Sequence, residues 1–275
     1  MGARFAGRRV LVTGASRGIG AALATRFAAE AADVAIVART LERHDHLAGS
    51  LAETAARMEG FGNQVAVIVA DLADAEDRAR IVPEAEAALG GPIDVLVNNA
   101  AAAIYAPTST YPLKRRRITF EVNVHAPLDL AQAVIPGMVE RREGWIVNVS
   151  SASSILSDGP PFRREGVALT LGIYGASKAA LNRETNCLAA ELHGTGVRVN
   201  TIEPRAAVLS EGANELVGDQ LSADQIESME SMVEATLALC DCGPDLTGRV
   251  TVSTELIAEL GLTVMTLDGT APAPA

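Results

Sequence analysis

The sequence predicts an α/β fold, a doubly wound parallel sheet of about seven strands with helices on both faces. Three observations predict it. Short β-branched apolar runs alternate with Ala-rich helical stretches along most of the chain. Most of those runs are almost continuously apolar, as strands buried on both faces require. The segments between them are long enough for crossover helices.

The elements follow in order. Strand Arg9–Thr13 runs into a glycine-rich turn and a helix over Ala21–Ala31. Strand Val34–Ala38 is followed by a long connection, Leu41–Ser50. Strand Val65–Ala70 leads to helix Ala73–Leu89, and strand Val95–Asn98 leads to helix Arg116–Met138. Strand Trp145–Val149 is followed by another long connection, Ala152–Leu171, holding Gly159-Pro160-Pro161, and then by helix Gly175–Leu192. In strand Val197–Ile202, Arg198 and Asn200 alternate with apolar residues, which places it nearer a sheet edge. After Pro204 the pattern is irregular until Ser222-x-x-Gln225, a capping box that starts a helix running to Leu239. Arg249–Ser253 is the last strand, and Ala271–Ala275 reads as a disordered tail. No composition break divides residues 1–270, which read as one domain.

Composition narrows the partners. The chain has 275 residues, 48% apolar, and 23 basic against 34 acidic side chains, a net charge of −11. That balance excludes a nucleic-acid binder. The run Lys114-Arg115-Arg116-Arg117 reads as a solvated helix face. Three cysteines, Cys187, Cys240 and Cys242, are too few for a disulfide framework, and Cys240-x-Cys242 lacks metal or redox spacing. The longest Ala-rich apolar stretch, Ala21 to Ala38, is interrupted by Arg26, Glu30 and Asp33, so no membrane span is expected. Reduced thiols and the lack of an export signal point to a cytoplasmic protein.

Two motifs carry chemistry. The first strand ends in Thr13-Gly14-Ala15-Ser16-Arg17-Gly18-Ile19-Gly20. Between a strand and a helix, such glycines allow a tight turn and let the backbone approach a pyrophosphate at the helix N-terminus. The second motif is Tyr174-Gly175-Ala176-Ser177-Lys178. A spacing of four puts Tyr174 and Lys178 on one helix face, one turn apart. An ammonium about 5 Å from the phenol, at an effective dielectric near 20, favours the phenolate by about 3.3 kcal/mol. That would bring Tyr174 close to neutral pH, where a general acid–base works best.

TGASRGIG and YGASK together resemble the short-chain dehydrogenase/reductases, and the resemblance runs from about Arg8 to Thr254. It implies a Rossmann-type domain, a dinucleotide cofactor and hydride transfer at a carbonyl or secondary alcohol. It implies catalytic roles for Ser151, Tyr174, Lys178 and Asn123. Ser151 would hold the substrate carbonyl, and Asn123 a water linking Lys178 to solvent. The cofactor would be lined by Gly14, Ser16, Arg17, Gly18, Ile19, Gly20, Arg39, Asp71, Leu72, Asn99, Ala100, Tyr174, Lys178, Pro204 and Val208. Asn98-Asn99-Ala100 resembles the family's sheet-stabilising motif, with Ala101 where glycine is usual. Val208 and Ser210 stand where the family's nicotinamide contacts are expected, shifted by one residue.

Strand two ends in Ala38-Arg39-Thr40 without the acid that holds the NAD ribose, and Arg17 lies in the glycine turn. Two guanidinium groups suit the extra phosphate, which favours NADP(H) over NAD(H). The substrate pocket is expected from 101–107, 152–174 and 204–222, including Ile104, Tyr105, Ile155, Leu156, Phe162 and Leu171, with 205–221 as a loop that orders on binding. His44 and His46 lack a third ligand, so no metal is expected, and His125 reads as a packed helix histidine. The insertion after strand two is similar to that of hydroxysteroid dehydrogenase-like members. Family likeness also implies a homo-oligomer, a dimer or tetramer formed through helices Arg116–Met138 and Gly175–Leu192. The alternative is a non-catalytic dinucleotide sensor or scaffold on the same fold, which would need the phosphate site but no acid–base pair. A third reading, a sugar-nucleotide epimerase or dehydratase, fits neither the chain length nor the glycine spacing.

Overall fold

The computed structural model describes residues 3–42, 48–162, 166–205, 207–208 and 226–274. Seven parallel strands form one sheet: β1 (Arg9–Thr13), β2 (Asp33–Ala38), β3 (Val65–Val69), β4 (Val95–Asn98), β5 (Gly144–Val149), β6 (Val197–Glu203) and β9 (Val250–Val252), in the order β3-β2-β1-β4-β5-β6-β9. The order reverses direction at β1, so the crevice between β1 and β4 opens at the carboxyl edge of the sheet. β6 lies one strand in from the edge, next to β9. Outside this sheet, β7 (Ala207–Val208) and β8 (Ile226–Glu227) form a small parallel pair.

The strands are apolar on both sides because both sides are covered. Successive residues point to opposite faces, so Val10 and Val12 enter one core and Leu11 the other. The first core joins α1 (Gly18–Ala29), α2 (Leu51–Met58), α7 (Met229–Leu239) and α8 (Ser253–Leu260) to the sheet through Leu23, Phe27, Leu51, Met232 and Leu256. The second joins α3 (Ala75–Leu89), α5 (Ala126–Arg141) and α6 (Gly172–Glu191) through Ile81, Leu130, Val134 and Ala189.

Four features differ from the expectations. The helix expected over Arg116–Met138 is α4 (Leu113–Phe120), a π-helical turn (Glu121–His125) and then α5. The helix expected from Ser222 begins at Met229 instead. Ser228 caps it by accepting a hydrogen bond from the Ser231 amide at 3.1 Å, and strand β8 occupies Ile226–Glu227; Ser222–Gln225 lie outside the described residues. Helix α2 has no counterpart among the expected elements, although Ser50-x-x-Glu53 spells its cap, with the Ser50 hydroxyl accepting from the Glu53 amide at 3.1 Å. Part of the segment expected as a disordered tail lies in a hairpin: Thr266 N–H donates to Ala271 O and Ala273 N–H to Val264 O, each at 2.8 Å, and Ala275 lies outside the described residues. Arg26 fixes this hairpin, donating to the Thr266 carbonyl at 3.3 Å while pairing with Glu30 and Glu234.

Candidate active site

The glycine turn is bolted to the end of β4. The Thr13 hydroxyl accepts from the amides of Asn99 and Ala100, each at 3.1 Å, and the Asn99 side-chain amide donates to the Thr13 carbonyl at 2.9 Å and the Gly14 carbonyl at 3.3 Å. Gly14 has φ +68°, and a Cβ there would lie 2.7 Å from Ala100 Cα. A Cβ on Gly20 would strike the Gly14 carbonyl and the Asn99 amide. Helix α1 begins with no side-chain cap and no acid in its first turn, so no carboxylate of its own first turn opposes an anion at its positive end. Arg17 heads that helix; its Nη2 donates to the Gly49 carbonyl at 3.2 Å, while Nε is buried without a partner among the described residues. These features fit a dinucleotide pyrophosphate.

The other cofactor candidates are more scattered. Arg39 is exposed at the end of β2. The Asp71 carboxylate accepts from the Ala73 amide at 3.0 Å, and Leu72 is buried beside it. Val208 is buried in β7 opposite Glu227, and Glu227 holds the Arg205 amide at 2.8 Å beyond Pro204. Ser210, His44 and His46 lie outside the described residues. Among the described residues no group of His, Cys, Asp or Glu could hold a metal ion.

The acid–base candidates meet at the start of α6. Tyr174 lies in its first turn and Lys178 one turn later, and both are buried. Tyr174 shares a hydrogen bond with Ser151. Ser151 follows β5 and caps the short turn Ala152–Ser154, its hydroxyl accepting from the Ser153 amide at 3.2 Å and the Ser153 hydroxyl at 3.0 Å. Glycine at 175 lets this turn lie against α6, since a Cβ there would strike the Ser153 carbonyl. Ser150, the neighbouring serine, is buried with its hydroxyl unpartnered among the described residues.

Asn123 lies in the π-helical turn and is fully buried. Its carbonyl oxygen accepts from the Ala102 amide at 2.7 Å, and its amide donates to Ser177 Oγ at 3.0 Å; Ser177 donates in turn to the Tyr174 carbonyl at 2.6 Å. Ser177 thus ties Asn123 to α6. Its position inside Y-x-x-x-K carries no separate sequence signal. A single-turn π bulge at a site residue re-aims side chains and shifts the carbonyl ladder, and no periodicity in the sequence marks it.

The electrostatics differ from the expected lowering of Tyr174. Burial pushes its phenol above the ordinary range, nearby Tyr105 adds to this, and the Ser151 hydrogen bond opposes it. The expected counter-charge is engaged elsewhere: Lys178 Nζ donates to the Val149 carbonyl at 2.7 Å and lies 5.8 Å from the centre of the Tyr174 ring. Burial lowers Lys178 to about 8. Desolvation therefore outweighs the pairwise attraction for both groups.

The expected pocket wall is only partly assembled. Tyr105 packs edge-on against Tyr174, centroids 5.5 Å apart, and Ile104 and Leu171 are half-buried. Ile155, Leu156 and Phe162 are instead exposed, at 69%, 90% and 57%. Lys114–Arg117 form an exposed face of α4, as expected, whereas His125 is exposed rather than packed.

A family model described as short chain dehydrogenase matches residues 8–220. The chain belongs to the short chain dehydrogenase family. Hydroxysteroid dehydrogenase-like protein 2 of Danio rerio is 28% identical over 259 residues, covering 94% of this chain and 60% of that protein. Ketoacyl reductase HetN of Nostoc is 34% identical over 198 residues, 72% of this chain and 63% of that protein. The chain thus spans about three-fifths of these relatives. Among solved structures, a short chain dehydrogenase from Mycobacterium thermoresistibile superposes with a TM-score of 0.80 at 29% identity, covering 98% of this chain and 92% of that one. A 3-oxoacyl (acyl-carrier-protein) reductase from Agrobacterium tumefaciens, solved with NADP bound, gives 0.76 at 27%, covering 90% and 93%. The chain carries a seven-stranded parallel Rossmann-type sheet, as these neighbours do. No helix among the described residues is long and apolar enough to cross a membrane.

Proposed function

We propose that this short chain dehydrogenase is an NADP(H)-dependent enzyme that moves hydride between the dinucleotide and a carbonyl or secondary alcohol, with Tyr174 carrying the proton. The observation that carries this reading is the buried Tyr174 phenol, hydrogen-bonded to Ser151 and one helical turn from Lys178. It lies on the edge of the sheet onto which the glycine turn also opens.

When bound, the nicotinamide supplies or accepts the hydride. The chain does the rest. Ser151 holds the substrate oxygen, and Tyr174 gives that oxygen its proton during reduction and takes it back during oxidation. Burial keeps the resting phenol protonated, which suits the reductive direction. Lys178 holds the ribose hydroxyls and, when charged, stabilises the phenolate that reduction leaves behind. The carbonyl ladder displaced by the π-helical turn at Asn123 provides a seat for a water that returns protons through Lys178.

NADP(H) over NAD(H) rests on Arg17 and exposed Arg39, with no acid at the end of β2, and agrees with the NADP-bound reductase among the neighbours. The names of the relatives and the half-buried Ile104, Tyr105 and Leu171 favour an apolar ketone or ketoacyl substrate. Self-association as a dimer or tetramer through α4, α5 and α6 belongs to the same reading. The test is NADPH consumption over aldehydes, aliphatic ketones, 3-ketoacyl thioesters and ketosteroids, with NADH in parallel. Turnover with one class and preference for NADPH support the proposal. Preference for NADH overturns the cofactor assignment. Tight NADPH binding without turnover on any class overturns the enzymatic reading in favour of a dinucleotide sensor.

A further inference from the structure

Glu203 ends β6 immediately before Pro204 and is 3% exposed. Such a carboxylate is costly to bury and persists where its hydrogen bonds are needed. One partner is visible. Glu203 is hydrogen-bonded to Ser154, and Ser154 Oγ accepts from the Asn182 side-chain amide of α6 at 3.1 Å. An ionised carboxylate can only accept, so the Ser154 hydroxyl donates its proton to it. The other carboxylate oxygen has no partner among the described residues.

Ser154 is the last residue of the turn that Ser151 caps. That turn is gripped from three sides: Glu203 of β6 and Asn182 of α6 hold its end, and Gly175 of α6 lies against its Ser153 carbonyl. Ser151, at its head, is the group hydrogen-bonded to Tyr174.

We propose that Glu203 is a positioning residue, whose buried carboxylate clamps Ser154 and thereby sets the Ser151 hydroxyl against Tyr174. The inference rests on the proposed role of Tyr174 and Ser151. A clamp one hydrogen bond removed from the reacting group acts on the geometry of the transition state, so its loss lowers kcat and leaves dinucleotide binding alone. Glutamine preserves the clamp, because its amide oxygen accepts the same Ser154 proton; alanine removes it.

The experiment measures kcat, KM and the dissociation constant for NADPH in wild type, Glu203→Ala, Glu203→Gln, Ser154→Ala and the Glu203→Ala/Ser154→Ala double variant. Glu203→Ala and Ser154→Ala should each lower kcat about 10- to 100-fold, the scale of a small misplacement in a catalytic constellation. NADPH affinity should be unchanged, and the double variant no worse than either single one. Glu203→Gln should recover most of kcat. Unimpaired kcat in Glu203→Ala, a glutamine variant as slow as alanine, or independent losses that multiply would each overturn the inference. If Glu203→Ala does not fold, Ser154→Ala and Glu203→Gln decide the question: a slow Ser154→Ala beside an active Glu203→Gln supports the clamp, and any other pairing overturns it. Turnover that survives Tyr174→Phe defeats the underlying functional reading; Tyr174-dependent turnover with a fully active Glu203→Ala defeats only the clamp.

Discussion

Replacing Lys178 with methionine should make the unliganded protein more stable while destroying its turnover. Lys178 is 2% exposed and titrates near 8 rather than 10.5 because burial penalises its charge. Keeping it charged in the fold at pH 7 therefore costs about 3 kcal/mol relative to the unfolded chain. Methionine is similarly long and unbranched and removes that cost. It also removes the bond to the Val149 carbonyl, worth about 1 kcal/mol. The net gain at pH 7 is about 2 kcal/mol. The sign follows from linkage. A lysine whose folded pKa is depressed destabilises fully below about 8, and the penalty is relieved as pH rises from about 8 to 10.5. The carbonyl term does not titrate, so pH separates the two contributions. Urea unfolding of both proteins at pH 7 and pH 9.5 should show the advantage of Lys178→Met shrinking by about 2 kcal/mol. An advantage that stays constant with pH would refute the desolvation argument.

Other outcomes follow from the same structure. Gly20→Ala places a Cβ against backbone and should cost about 1–3 kcal/mol and most NADPH affinity, whereas Gly60→Ala, with nothing within 4 Å, should be nearly neutral; thermal melts and NADPH titration check both. Because burial holds the Tyr174 phenol protonated, substrate oxidation should accelerate as pH rises from 7 to 10, and a flat oxidative profile would contradict that assignment. Arg26 is 2% exposed and pairs with Glu30 and Glu234, so Arg26→Met leaves buried carboxylates behind and should cost about 3 kcal/mol in urea unfolding.

The sheet was legible because burial on both faces leaves a plain mark. Val10, Leu11 and Val12 are consecutive apolar residues that divide between two cores. The site was legible where spacing alone decides geometry, as for Tyr174 and Lys178 on one helical turn. It was not legible where the environment decides. Pairwise attraction predicted a lowered Tyr174, but only the fold reveals that both groups are dehydrated and that Lys178 faces the Val149 carbonyl. Tertiary contacts also govern the π-helical turn at Asn123 and the Ser154–Glu203 bond. These join β6 and α6 to a turn far away in sequence, and no local pattern encodes them. The apolar residues expected in the pocket show the reverse error: Leu156 and Phe162 satisfy the composition of a pocket wall yet lie in solvent.

The central claim is that Tyr174 carries the proton of a hydride transfer. Tyr174→Phe removes one oxygen from a buried ring whose edge-on packing against Tyr105 is otherwise preserved. With the substrate class that wild type reduces, the variant should bind NADPH as wild type does and lose turnover by at least about 100-fold. Turnover near the wild-type rate with NADPH bound would contradict the account.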